Sequence, residues 1–483
     1  MLEFCHPQRL TDFDLSPTKK GLTLTPMATA ELTHSIRHLS AMSQRWGAQL
    51  VAYVFLLFSA ICAFMVSFCS PIFAYAELDP RGSSLVAQSL IQHGTLRVDG
   101  YKLPAAFWLF EVKNGHTYST YPLGTPVFLL PFVAVALKNG ADMQIDRSDL
   151  LLQKQVAGLT LIAFLLLAYF ILRCFLEPIK SAILGSVWTL GTGVMSTMGA
   201  ALWSINFAVI LESVVVLIMV RYFTGRSDRL RPLVVGLCLF AGYLCRPSAA
   251  LLAVPTTILL WRRSKISAIQ TAAVFGVLLL FLCVFSLKEF GSWLPEYYSA
   301  YGATLGGLNL DYFRKAVYGL TFGPARGLFV YQPFLILILL GTILTARKLV
   351  CSSLYWLAVS WIVLDILLVA HWSMWWGGAG FGSRLLVESF PGWLILTGLV
   401  WSELSVWKER IVAFALCFGI LAGFAIFINS YQALYNWSTF HWNGLPGSLG
   451  WTWDNPKNYY DWRYPQFLAS PEMIRELKDQ RPR

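Results

Sequence analysis

Three carboxylates fall inside long apolar stretches of this chain: Glu212, Asp365 and Glu388. Ionisable groups are costly in hydrocarbon and are retained there for pairing or for function. At 1.5 Å rise per residue, Glu212 lies about two turns inside the end of its run, Asp365 a similar distance before His371, and Glu388 about one turn after Arg384. For any one acid, pairing with a neighbouring helix explains its presence about as well as function does. Their common depth favours a water-accessible cavity that opens outward.

A second pattern is basic. Arg246 follows Cys245, Arg326 closes Phe322-Gly323-Pro324-Ala325-Arg326, and Arg384 closes Phe381-Gly382-Ser383-Arg384, each directly before an apolar run. A guanidinium beside the free N–H groups and positive dipole end of a helix forms an anion site, with phosphate the anion of a lipid-linked substrate. A single arginine there also serves as an interfacial anchor; three in equivalent positions favour the anion. Just before Arg384, the segment His371-Trp372-Ser373-Met374-Trp375-Trp376-Gly377-Gly378 supplies rings suited to an interfacial belt or to a stacking wall for a sugar face.

The elements that position these residues follow from composition. The 483 residues are 56% hydrophobic and 13% charged, with an aromatic share of 15% and a mean hydropathy of +0.58. A water-soluble globule is excluded, and the expected fold class is an all-α polytopic membrane protein. The net charge of +11 suits cytoplasmic loops facing anionic lipid, and no nucleic-acid partner is expected. Nine cysteines without any CxxC spacing form neither a disulfide framework nor a zinc site.

Runs of about twenty apolar residues, the length of a bilayer crossing, lie at 48–72, 155–175, 181–201, 205–222, 267–287, 328–346, 352–370, 385–402 and 411–429. Two shorter runs, 232–245 and 248–261, meet at Arg246-Pro247, which brings the expected total to about 11 transmembrane helices. The short basic loops Arg173 to Lys180, Arg221 to Arg231, Arg262 to Lys265, Arg347-Lys348 and Lys408 to Arg410 are assigned to the cytoplasm. That assignment alternates through the chain and leaves both ends of Thr125 to Leu137 outside, as a re-entrant or interfacial helix.

The expected organisation is a cytoplasmic N-terminal tail over 1–46, a transmembrane domain over 47–429 and an external C-terminal tail over 430–483. External loops fall at 73–154, 288–327 and 371–384, the first being large and carrying amphipathic and juxtamembrane helices. Residues 28–46 have the makings of a surface helix. The aromatic tail, with Trp451-Thr452-Trp453 and Tyr459-Tyr460-Asp461-Trp462, suggests an ordered cap on the external face.

The first loop opens Glu77-Leu78-Asp79-Pro80-Arg81, runs through a helical pattern from Ser84 to Gln92, reaches Gly94, and later passes Tyr121-Pro122. This arrangement resembles the membrane glycosyltransferases of the GT-C fold, the group of protein O-mannosyltransferases and the lipid A aminoarabinose transferase. In that family an Asp just after the first span begins Asp-Glu-x-Arg-Tyr, and an amphipathic helix then ends in Gly-Asp. Asp79 falls on the acid and Gly94, fifteen residues on, falls on the glycine. Leu211-Glu212-Ser213 looks like the family's Leu-Asp-Pro, Tyr121-Pro122 like its Lys-Pro or His-Pro, and Cys245-Arg246-Pro247 like its Thr-Lys-Gly. Trp375-Trp376-Gly377-Gly378 with Phe381-Gly382-Ser383-Arg384 is similar to a Trp-Trp-Gly-Gly…Phe-Gly-Pro-Arg signature of bacterial members. The pattern departs at Pro80, which replaces Glu, at Arg81, which comes one place early, at Ser83, where Tyr is common, and at Tyr121, which replaces a lysine.

The resemblance implies a sugar transferase that draws on a polyprenyl-phosphate donor at the external face of a bacterial plasma membrane. Asp79 is the expected general base, with Glu77 its understudy. Such a reaction needs a carboxylate to take the acceptor proton and a cationic cradle for the departing phosphate. With Tyr121 at the lysine position, phosphate binding passes to Arg246, Arg326 and Arg384, while Tyr121, His371, Trp375 and Trp376 line the substrate. Glu212 orients the acceptor or shares a divalent metal, Mg²⁺ or Mn²⁺, with Asp79. His93, His116 and His371 are further candidate ligands, although an interfacial histidine is more often simply hydrogen-bonded. Two other classes fit the same membrane pattern: an oligosaccharide ligase or polymerase of the cell envelope that uses arginine and histidine instead of Asp79, and a non-enzymatic lipid or solute transporter.

Overall fold

The computed structural model describes residues 26–73, 80–103, 109–298, 309–378, 380–405, 408–443 and 459–479, with side chains left out at 26–45, 408–410 and 477–479. The chain divides into two compact units, Met1–Leu50 and Val51–Arg483. Helix α1 (Pro26–Phe68) contains the helix expected over 28–46. All further description concerns the second unit.

Seven helices are long and apolar enough to cross a membrane: Trp46–Phe68, Asp146–Leu172, Ser204–Phe223, Lys265–Phe290, Ser353–His371, Arg384–Leu404 and Ile411–Tyr435. The protein is therefore an integral membrane protein of all-α class, and its only described strands form one small hairpin. Large side chains such as Phe281, Ile420 and Leu416 stand exposed, as lipid-facing residues do.

Two runs read from sequence as uninterrupted spans are broken. In the first, α5 (Pro178–Leu190) stops at Gly191, and a π turn follows over Val194–Met198. Thr192 causes the stop locally: its hydroxyl donates to Trp188 O (2.6 Å) and accepts from Val194 N–H (3.2 Å), in competition with the helical ladder. In the second, Pro333 lacks an N–H, so the run splits into a turn over Leu328–Tyr331 and an eleven-residue helix, Phe334–Leu344. Asn429 takes up the carbonyls exposed at both breaks. The two N–H groups of its Nδ2 are shared among Gly191 O (3.2 Å), Tyr331 O (2.8 Å) and Ala425 O (3.0 Å), and its Oδ1 accepts from Ser196 Oγ (2.9 Å).

Other boundaries shift for equally local reasons. Helix α4 (Asp146–Leu172) begins nine residues before the expected 155, because Asp146 and Asp149 occupy its first turn, where acids favour a helix start. Arg81 at the start of α2 (Arg81–His93) is 3% exposed and reaches both, at 2.5 Å and 3.3 Å, tying the two helix starts together. The segment expected to begin a span at 385 opens as a 3₁₀ turn, Arg384–Ser389, and becomes α-helical over Phe390–Leu404. The runs meeting at Arg246-Pro247 form α7 (Pro232–Cys245) and α8 (Ala250–Arg263), parted by a 3₁₀ turn over Pro247–Ala249.

In the first loop, α2 ends at Gly94 with φ 67°, a left-handed C-cap that favours glycine. A hairpin of β1 (Phe110–Lys113) and β2 (His116–Ser119) follows. Its two-residue turn, Asn114-Gly115, has φ of 52° and 77°, as a type I′ turn requires. Helix α3 (Gly124–Lys138), expected as a re-entrant helix over 125–137, packs on α2 and on α7.

At Gly124 the approach to α7 is so close that a Cβ would stand 2.5 Å from Cys245 N and 2.6 Å from Leu244 C. Backbone atoms cannot rotate aside, so Gly124→Ala is expected to destabilise the protein by about 1–3 kcal/mol through overpacking. Gly419→Ala, in a helix with nothing within 4 Å, is the control and is expected to be neutral or slightly stabilising. Thermal unfolding of both variants in detergent checks the difference.

Candidate functional site

Three of the breaks meet at one pocket. Pro80 and Ser83 come from the start of α2, Tyr121 and Pro122 from the entry to α3, Thr197 from the π turn, Arg246 from the α7–α8 break, and Arg384 from the 3₁₀ turn. The pocket holds about 530 Å³ of empty space counted to its open mouth. Ser204 and Ile205, the first residues of α6 (Ser204–Phe223), also line it, and the N-cap residue Trp203 supplies no side-chain hydrogen bond to that helix start. The α6 dipole therefore points its positive end at a pocket flanked by two guanidinium groups. Arg384 rests over the Trp203 ring, 4.6 Å from its centroid. The Thr197 hydroxyl is buried without a hydrogen-bond partner. Such an arrangement is suited to an anion.

Behind Arg246 lies the acid cluster anticipated from sequence. Arg246 forms an ion pair with Glu388 and donates from Nε to Ser248 Oγ at 3.1 Å. Glu212, Asp365 and Glu388 are 2%, 1% and 1% exposed, and Glu212 lies within electrostatic range of both other acids and of Arg246. The cluster is closed to solvent, where an open cavity was expected at this depth, because α6, Ser353–His371 and the 3₁₀ turn pack directly on one another. Glu212 does not line the pocket. Among the described residues no group of three or more His, Cys, Asp and Glu is arranged to hold a metal ion.

The structure thus brings together Arg246, Arg384 and Tyr121, with Glu212 near Arg246. Asp79 and Glu77 lie outside the described residues, while Pro80, bonded to Asp79, lines the pocket. The remaining candidates are placed elsewhere. Arg326 is 1% exposed, and all five of its N–H donors are used within the protein. Nε donates to Trp376 O (2.8 Å), Nη1 to Ala325 O (2.8 Å) and Gln466 Oε1 (2.5 Å), and Nη2 to Gly378 O (3.2 Å) and Asn443 Oδ1 (3.0 Å). No donor is left for phosphate, so this arginine is a strut that fastens the C-terminal segment.

Trp375, 1% exposed, packs against Gly319, Tyr459 and Tyr460, and Trp376 stacks on Tyr459 at 5.4 Å. These rings are the floor beneath the C-terminal segment instead of a wall for a sugar. The cap expected there is ordered over 459–479, whereas Trp451 to Trp453 fall outside the described residues. His371 packs on Phe313 (5.1 Å) beside a separate hollow lined by Asn309 and Leu310. His93 packs on Tyr101, and His116 serves the hairpin through Asp99 Oδ2, 2.7 Å from its Nδ1. The Thr117 N–H, and then His116, hold the Asp99 carboxyl below the usual range. That stabilisation is present above the unfolded pKa of an aspartate and is lost as pH falls through the lower folded value.

Thr197, Trp203 and Ser204 went unread in sequence. Their signal was faint: Trp203-Ser204 directly precedes an apolar run at the position of a helix start. Comparison with family models, curated proteins and solved structures finds no match to this chain.

The assignment of Arg326 as a strut predicts that Arg326→Lys, which preserves charge, loses most of the five bonds and leaves several buried carbonyl groups unsatisfied. The expected cost is about 3 kcal/mol or more. Thermal unfolding in detergent and limited proteolysis of the C-terminal segment check this; an unchanged Tm contradicts it.

Proposed function

We propose that this chain is a GT-C-type membrane glycosyltransferase that moves a sugar from a polyprenyl-phosphate donor to a lipid, glycan or protein acceptor. The observation that carries the reading is the pocket formed by Arg246, Arg384 and the N-terminus of α6, with Pro80, the neighbour of Asp79 in the chain, in its wall. In this scheme the guanidinium groups and helix dipole stabilise the charge that develops on the departing phosphate. Asp79 takes the proton of the acceptor hydroxyl, and Tyr121 borders the donor. A divalent ion, Mg²⁺ or Mn²⁺, would be held by Asp79 with phosphate oxygens, and its chemistry would be to neutralise leaving-group charge.

Beside the seven long helices, Gly124–Lys138, Pro232–Cys245 and Phe334–Leu344 are short and apolar; keeping Gly124–Lys138 outside and adding Pro178–Leu190 and Ala250–Arg263 gives the eleven crossings of this reading. With the basic loops in the cytoplasm, the first loop and the pocket face outward, toward the exterior of a bacterial plasma membrane. One observation favours a second reading. Buried acids beside the Arg246-Pro247 break match the polar, broken-helix centre of a transporter, which moves its substrate without cleaving it.

Release of polyprenyl phosphate from a panel of radiolabelled polyprenyl-phosphate sugars, by purified protein supplied with membrane extract, separates these readings. Wild-type protein is expected to release the carrier. Asp79→Asn is expected to lower kcat by about 10²- to 10⁴-fold, the usual weight of a general base, and Arg384→Ala to lower kcat/KM by about 10²-fold. Release indifferent to Asp79→Asn points to the ligase or polymerase, and no release from any donor sinks the transferase.

A further inference from the structure

Around the break between Cys245 and Pro247, three carboxylates share an apolar interior with one guanidinium. Both oxygens of Glu212 and both of Asp365 are buried without a hydrogen-bond partner. The Asp365 carboxylate is near Ser389, and the Cys245 thiol is within electrostatic range of Glu212 and Glu388. Among the described residues, these groups, Ser248 and Arg246 are the ionisable and polar side chains that act on the cluster from the elements packed around it. Arg246 is the one member that also lines the pocket. Its positive charge is thus shared between an acid inside and any anion outside.

Arg246 is already balanced by Glu388, and in surroundings of low polarity it cannot turn to an added anion unless a positive charge compensates the acid it leaves. The guanidinium is protonated at every relevant pH and cannot supply more. A proton can. We propose that the pocket binds its anion together with a proton: Glu388 takes a proton from solvent, loses its hold on Arg246, and the guanidinium turns its charge to an anionic oxygen of a phosphate-class ligand. One proton and one negative charge enter, no other bond forms or breaks, and the net charge of the site is unchanged. This deepens the reading of the pocket as a phosphate site and rests on it. Glu388 is here a positioning residue that acts through Arg246.

The test is calorimetric titration of the full-length protein in detergent with hexyl sulfate, an anion that does not itself titrate near neutral pH. Titrations at pH 7 in PIPES and in imidazole, buffers of different ionisation enthalpy, report the protons taken up per anion. Wild-type protein is expected to take up close to one proton, and its affinity to rise by up to about tenfold for each unit of falling pH. Glu388→Gln is expected to bind with buffer-independent heat and a flat pH profile, while Glu388→Asp restores proton uptake. If Glu388→Gln unfolds, Arg246→Gln serves instead: anion held by Arg384 then binds without a proton. Binding to wild type with equal heats in both buffers overturns the proton linkage and leaves the pocket standing. Absence of binding overturns the pocket as well. Proton-linked binding without carrier release in the transfer assay retains this proposal and removes the transferase.

Discussion

A backbone carbonyl or a charge placed in hydrocarbon has to find its partner inside the protein, because no water is there to serve. The helix breaks of this fold depend on that constraint being met. Asn429 takes up carbonyls at two helix breaks and in its own helix, and Arg326 satisfies five acceptors at once. Without such polar side chains the breaks at Gly191 and Pro333 would each cost several unpaired groups. With them, the chain can interrupt its helices and so turn backbone and side chains toward a common point.

The breaks supply the pocket in a way that straight helices could not. A continuous helix through residue 246 would point its arginine at lipid or at a neighbouring helix. Here the 3₁₀ turn after Arg246 gives that residue an extended backbone, φ −159° and ψ 125°, and directs its side chain between the pocket and Glu388. The π turn brings Thr197 to the wall, and the 3₁₀ turn at Arg384 brings a second guanidinium over Trp203. Glycines allow the remaining approach: a Cβ at Gly193 would stand 2.7 Å from Val387, and one at Gly124 would strike α7. Anchoring by α2 is equally firm, through the buried Arg81 and its two aspartates.

How much of this could be read in advance depends on whether the signal is local. The membrane class, most long helices, the α2 pattern closed by Gly94 and the depth of Glu212, Asp365 and Glu388 all depend on composition and periodicity, which a single sequence displays. The breaks at Thr192 and at Gln332-Pro333 are not legible because both sit inside runs of about twenty mainly apolar residues, which read as uninterrupted spans. The hairpin carries a strong short-range turn signal in Asn114-Gly115, but its strands are only four residues long, too short for their alternation to stand out. Arg326 and Arg384 stand in similar glycine-containing contexts before apolar runs, yet one is an internal strut and the other faces a pocket. Their difference is set by Gln466, Asn443 and Tyr459, residues more than a hundred positions from Arg326, and nothing local to either arginine encodes it.

The two pocket arginines are consequently unlike each other in physical character. Arg384 lies on the face of an indole, whose quadrupole attracts a cation. Arg246 is paired with a buried carboxylate and sits within reach of two more acids. A guanidinium balanced in this way binds an anion weakly, which is a disadvantage for a permanent phosphate clamp. The internal acid competes with any such anion for the cation. On the proposal above, the acid cluster tunes Arg246 between two partners, and three buried carboxylates then have a reason that a purely structural ion pair would not require.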